Sequence, residues 1–200
     1  QKGFLTDPDL VSTDIDQESQ IAEACAALDA LRRSTEMATA NVMLIGHSEG
    51  GTIATKMAQR LTAITGLVTV NAALFDVLEL VVIQLQCSTT IDETTRTELL
   101  SLFERLSAGH VWELEVVLGA TARYWSQWSE FTRAAGDDLR SLSVPTLLVQ
   151  SGADENFSGA GADQNRELLV GLQGSRGSLQ IAVIDGVGHR GFSEEALQRL

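Results

Sequence analysis

Ser48 lies in the run Gly46-His-Ser-Glu-Gly50, with Gly51 directly after it. A G-x-S-x-G pattern puts serine on a sharp turn between strand and helix, its hydroxyl raised above a sheet to serve as a nucleophile. Such a turn strains the backbone and brings strand and helix close enough to exclude a Cβ, which calls for glycine. A serine hydroxyl also needs a base, and the base needs an acid to orient it. The histidines are His47, His110 and His189. His47 adjoins Ser48, where successive side chains diverge, and His110 falls in a helical stretch as a surface or packing residue. His189 closes Asp185-Gly-Val-Gly-His189 after an apolar run, where a parallel sheet delivers residues to its carboxyl edge. Asp154, in Ser151-Gly-Ala-Asp154-Glu155, reaches the same edge. Glu155 is the substitute acid and Asp76 a weaker one.

Four short apolar runs must position these groups: Asn41–Gly46, Gly66–Val70, Thr146–Gln150 and Leu179–Ile184. Continuous apolar runs of this length mark strands buried on both faces. Helical periodicity alternates with them, at Ile21–Leu31, Thr52–Leu61, Asp163–Leu172 and Ser193–Leu200. Asp14 or Asp16 is available to cap the first of these helices. Strands alternating with helices imply right-handed βαβ units and a mainly parallel sheet. From residue 72 to 135 the pattern changes to helices alone, at Leu74–Gln86, Glu93–Ala108, His110–Ala120 and Thr121–Ala134. The expected division is therefore a core of residues 1–71 and 136–200 with a helical cap insertion at 72–135. All three tryptophans (Trp112, Trp125, Trp128) and the one tyrosine, Tyr124, fall in that insertion, as candidates for lining a substrate pocket.

Composition narrows the partners. With 200 residues and 44% apolar content, one domain with a sizeable core is expected. A net charge of −13 argues against nucleic acid or an anionic membrane as the main partner, since both reward positive charge. No apolar run approaches the ~18 residues that span a bilayer. Cys25 and Cys87 form no metal-ligand or disulfide pattern, read as buried small hydrophobes, and lean only toward a reducing, cytoplasmic compartment.

The chain resembles the α/β-hydrolase superfamily, and within it the bacterial serine hydrolases whose elbow reads G-H-S-E-G-G. The resemblance rests on Gly46-His-Ser-Glu-Gly-Gly51, Val144-Pro-Thr-Leu-Leu-Val-Gln-Ser-Gly-Ala-Asp154 and Gly186-Val-Gly-His189, with an echo in Tyr124-Trp-Ser-Gln-Trp128. It implies Ser48 as nucleophile, His189 as general base and acid, Asp154 as its partner, and the backbone N–H of Glu49 as an oxyanion-hole donor. It implies no cofactor and no metal. Two departures stand out. No H-G dipeptide precedes the elbow to supply a second oxyanion donor, and only about 40 residues lead into the nucleophile strand, where the family has several strands. The chain is thus expected to be N-terminally truncated relative to the family, with Asn41–Ile45 left as an apolar edge and a candidate oligomer contact.

The expected function is hydrolysis of a small-molecule carboxylic ester, lactone or thioester through an acyl-serine intermediate, with a small-peptide peptidase as the variant within that class. Two other readings stand beside it. One is a non-catalytic ligand-binding protein that keeps the fold, in which the aromatic residues grip an apolar ligand; the other is an inactive fragment.

Overall fold

The computed structural model describes residues 15–33, 41–157, 160–173 and 178–191. In chain order its elements are α1 (Gln17–Arg32), β1 (Val42–His47), α2 (Glu49–Arg60), β2 (Ile64–Val70), α3 (Val77–Cys87), α4 (Glu93–Ser107), β3 (Val116–Val117), β4 (Ala120–Thr121), α5 (Ala122–Ser141), β5 (Thr146–Ser151), a 3₁₀ turn (Glu155–Phe157), α6 (Ala160–Leu172) and β6 (Leu179–Ile184). The four apolar runs become β1, β2, β5 and β6, a parallel sheet in the order β1-β2-β5-β6. The helix expected at Ser193–Leu200 lies outside the described residues.

Local signals account for the helix ends. Asp16 caps α1 by accepting from Ser19 N at 2.8 Å, while the Ser19 hydroxyl oxygen accepts from Asp16 N at 3.0 Å. Asp76, Asp92 and Thr121 cap α3, α4 and α5 in the same side-chain-to-backbone manner. At the end of α4, Gly109 adopts φ 71°, with Gly109 N–H bonded to Leu106 O at 3.0 Å and His110 N–H to Arg105 O at 2.8 Å. That is the paired closure of a Schellman ending.

The helix expected over His110–Ala120 does not form. This stretch holds the β3–β4 hairpin, whose two turn residues, Leu118 and Gly119, have φ 48° and 81°. Positive φ at both central residues is the pattern of a type I′ hairpin turn, and a right-handed helix excludes it. The following helix, in contrast, is longer than its periodicity suggests, because Gly136 sits inside α5 without breaking it.

The strands are less enclosed than their sequence implies. Ala54 and Ala58 of α2, Leu139 of α5, and Leu169 and Leu172 of α6 pack with Leu67 and Leu148 on one face of the sheet. The opposite face is partly open among the described residues: Met43 and Ile45 of β1 are 59% and 71% exposed. The expectation of strands buried on both faces is corrected accordingly, since the described helices that pack on this sheet gather on one side. β1 is an edge strand, with no strand beside it other than β2 among the described residues. The cysteines also differ from expectation: Cys25 is half-buried, Cys87 exposed, and both are free thiols. No helix among the described residues is long and apolar enough to cross a membrane.

Candidate active site

The turn from β1 into α2 carries Ser48 at φ 55°, ψ −125°. A residue with a Cβ adopts such a conformation only where its surroundings enforce it. Here Ser48 N–H bonds Val70 O at 2.8 Å, continuing the β1–β2 pairing, and Gly51 N–H bonds back to Ser48 O at 2.9 Å. Two glycines make the turn sterically feasible. A Cβ on Gly46 would lie 2.1 Å from the Gly50 carbonyl oxygen, and one on Gly51 would lie 2.6 Å from the Ala72 Cβ. Gly50 has open space around it, so the second glycine of the G-x-S-x-G pattern is not required by packing. Ser48 occupies the N-cap position of α2 yet makes no capping bond with its side chain.

Its hydroxyl goes to His189 instead, with Oγ 3.0 Å from Nε2. His189 Nδ1 lies 3.0 and 2.9 Å from Asp154 Oδ1 and Oδ2. A carboxylate at Nδ1 leaves the ring hydrogen there, so that Nε2 accepts from Ser48. Asp154 follows β5 and His189 follows β6, so all three residues sit beyond the carboxyl ends of parallel strands, where open α/β sheets place their ligands. Asp154 and His189 are both buried. Asp154 Oδ1 also accepts from Asn156 N at 2.9 Å, which fixes the carboxylate independently of the histidine.

The backbone of His189 is held from three directions. Its N–H donates to Glu155 Oε2 at 2.8 Å, and its carbonyl accepts from Asn71 Nδ2 at 3.0 Å and from His47 Nε2 at 2.8 Å. Glu155 therefore meets the backbone of the histidine loop, whereas Asp154 meets the imidazole ring. The His189 N–H is the main reason its carboxyl titrates below the ordinary value. Asp76 is engaged elsewhere, capping α3 and accepting from the Ser129 hydroxyl at 2.7 Å. His110 is exposed, as a surface residue would be.

A cavity of about 790 Å³ opens over Ser48 and His189. Its walls come from α3, α4, the β3–β4 hairpin and α5, and they are mostly apolar. Tyr124, Trp125 and Trp128 line it, with the Trp125 and Trp128 rings stacked at a centroid separation of 5.5 Å. Trp125 Nε1–H is satisfied by Val117 O at 2.7 Å, so this ring both packs and lines. Trp112 does not join them: it is 68% exposed and outside the lining, carried away by the turn that replaces the expected helix. Glu49 also lines the cavity. No group of three or more His, Cys, Asp or Glu side chains among the described residues is arranged to hold a metal ion.

A model of the "Alpha/beta hydrolase family" matches residues 3–200, nearly the whole chain. The chain belongs to the alpha/beta hydrolase family. Among solved structures it is similar to the esterase domain of a Rhodothermus marinus protein, at 18% identity and a TM-score of 0.54, over 91% of this chain and 64% of that one. Est1E from Butyrivibrio proteoclasticus is similar at 16% identity and a TM-score of 0.56, over 88% of this chain and 63% of that one. An esterase from Pyrococcus furiosus is similar at 12% identity and a TM-score of 0.56, over 88% and 55%. The chain thus spans less than two thirds of each of these three structures. No curated protein matches it.

In this alpha/beta hydrolase family member, two site features escape sequence reasoning. Asn71 is buried and in the left-handed region at φ 52°, and it joins three strands' ends. Its N–H bonds Val149 O at 2.9 Å, its Oδ1 accepts from Ser151 N at 2.7 Å, and its Nδ2 reaches Ser151 Oγ at 2.9 Å as well as the His189 carbonyl. The available signal was an asparagine directly after a buried strand, a residue type that tolerates positive φ. The other feature is the bond from the Tyr124 hydroxyl to Glu49 Oε1, which also accepts from Gln17 Nε2 at 2.7 Å. These three residues come from α5, α2 and α1, and no local pattern links them.

Proposed function

We propose that this chain is a serine hydrolase that cleaves a small-molecule carboxylic ester, lactone or thioester through an acyl-Ser48 intermediate. The observation that carries the proposal is the hydrogen-bonded series Ser48 Oγ, His189 Nε2, His189 Nδ1 and Asp154, opening on the cavity. The esterases among its structural relatives point the same way, as does membership of the family.

In the first half-reaction Ser48 Oγ attacks the acyl carbon while its proton passes to His189 Nε2. Asp154 holds the ring in the productive tautomer and stabilises the imidazolium that forms. The negative charge on the carbonyl oxygen is met by the backbone N–H of Glu49, at the free N-terminal end of α2, where helix N–H groups favour an anion. Collapse of the tetrahedral intermediate breaks the bond to the alcohol or thiol, which leaves with the proton from Nε2. Water then repeats the sequence: it gives a proton to Nε2, attacks the acyl carbon, and Ser48 departs with that proton as the acid is released. We assign residues 72–135 as the cap over this site, with Tyr124, Trp125 and Trp128 in the wall of the substrate pocket.

A fluorophosphonate probe tests the proposal directly. Mass spectrometry should find the adduct on Ser48, p-nitrophenyl esters should be turned over, and Ser48→Ala should abolish both. Absence of an adduct on the folded chain would rule the proposal out.

A further inference from the structure

The cavity over Ser48 has an electrostatic character of its own. Among its described lining residues Glu49 is the one carboxylate, and none of them is a lysine or an arginine. Glu49 directly follows Ser48, so its Cα lies about 3.8 Å from that of the nucleophile. Its carboxylate is anchored at one oxygen only: Oε1 accepts from the Tyr124 hydroxyl and from Gln17 Nε2, while Oε2 has no hydrogen-bond partner among the described residues. The anchors are built to last. Gln17 is fully buried, and burial, followed by the Glu49 carboxylate itself, pushes the Tyr124 hydroxyl well above its ordinary value, so it stays a donor. The Tyr124 ring, whose hydroxyl holds this carboxylate, is followed along the same cavity wall by the Trp128 ring, with centroids 6.2 Å apart. An anion fixed in an aromatic-lined cavity, with no lysine or arginine among the described lining residues to compete, is the chemistry that recognises an ammonium group.

We propose that Glu49 is the specificity-determining residue of this site, favouring esters that carry an ammonium group close to the scissile bond and disfavouring those that carry a carboxylate there. The proposal rests on the hydrolase reading above and adds the charge class of the substrate. The general negative charge of the protein would also attract cations, but that effect is shared among 27 carboxylates and screened by salt, whereas Glu49 acts within the cavity.

The test is competition for fluorophosphonate labelling of Ser48 at physiological ionic strength. The competitors are a choline ester, its neutral 3,3-dimethylbutyl counterpart, and a carboxylate-bearing ester of similar size. The choline ester should protect Ser48 at about tenfold lower concentration than the neutral ester, and the anionic ester should protect least. Glu49→Gln, which keeps an acceptor for Tyr124, should bring the three close together. Asp137→Asn removes the same charge from an exposed carboxylate outside the cavity and should leave the ranking intact. Equal protection by the choline and neutral esters in the unaltered chain overturns the proposal, as does a preference that survives Glu49→Gln. In either case labelled Ser48 leaves the hydrolase reading standing; failure of Ser48 to label removes both.

Discussion

Replacing Ser48 by glycine should leave a more stable protein than replacing it by alanine, although glycine is ordinarily the poorer residue. Ser48 sits at φ 55°, ψ −125°, and a sparsely populated conformation of this kind costs a residue with a Cβ about 1–3 kcal/mol. Both substitutions remove the hydroxyl and its 3.0 Å bond to His189, so that loss cancels when the two variants are compared. Alanine keeps the strain. Glycine sheds it, at an entropic cost of about 0.5–1 kcal/mol. The difference is then between about 0 and 2.5 kcal/mol in favour of glycine, with a mid-range value of about 1 kcal/mol, or about 2–4 °C in Tm for a chain of this length. Thermal unfolding followed by circular dichroism, together with urea midpoints, reads it directly. An alanine variant as stable as the glycine variant, or more so, would show that the turn stores no more strain than the about 0.5–1 kcal/mol that glycine costs in entropy.

Three further outcomes follow from the same geometry. Gly46→Ala drives a Cβ to 2.1 Å from the Gly50 carbonyl oxygen and should cost about 3 kcal/mol or prevent folding, whereas Gly50→Ala enters open space and should stabilise α2 by up to about 1 kcal/mol in a urea titration. Asn71→Ala strips partners from Ser151 N, Ser151 Oγ and the His189 carbonyl, and chemical denaturation should register a loss of about 2–4 kcal/mol; a loss below about 0.5 would mean these bonds are replaced on truncation. Glu155 has a carboxyl held below its ordinary value by the His189 N–H, so its support of the histidine loop is present above the unfolded carboxyl pKa and fades as pH falls through the lower, folded one. Amide exchange at His189, corrected for intrinsic pH dependence, should therefore accelerate over that acidic window in the native chain, and the acceleration should be absent in Glu155→Gln.

Much of the architecture was legible in the chain because parallel strands advertise themselves. Four apolar runs in sequence became the four parallel strands of the sheet among the described residues, and Leu179–Ile184 matched to the residue. The Ser48 turn, the Asp154 loop and the His189 loop were legible for a related reason: each lies directly after its strand, and parallel strands bring all such loops to one edge. What failed was the stretch from His110 to Ala120. Its periodicity suits a helix, but the left-handed residues Leu118 and Gly119 commit it to a hairpin, and a lone Leu-Gly pair is a weak turn signal in sequence. Trp112 was misplaced with it.

The amino-acid sequence by itself determined which residue types stand after which strand, and hence that Ser48, Asp154 and His189 would meet at one end of a parallel sheet. That is a consequence of local order and of a handedness rule that leaves few alternatives. Tertiary structure alone decided how these groups are held and what faces them. The hold of Asn71 on the His189 carbonyl and the bond from Tyr124 to Glu49 join residues 118 and 75 positions apart. Such partnerships depend on the angles at which whole elements pack, and no local pattern in the chain encodes those angles. The exposure of Met43 and Ile45 has the same origin, since the burial of a strand depends on which elements lie over it as well as on its own side chains.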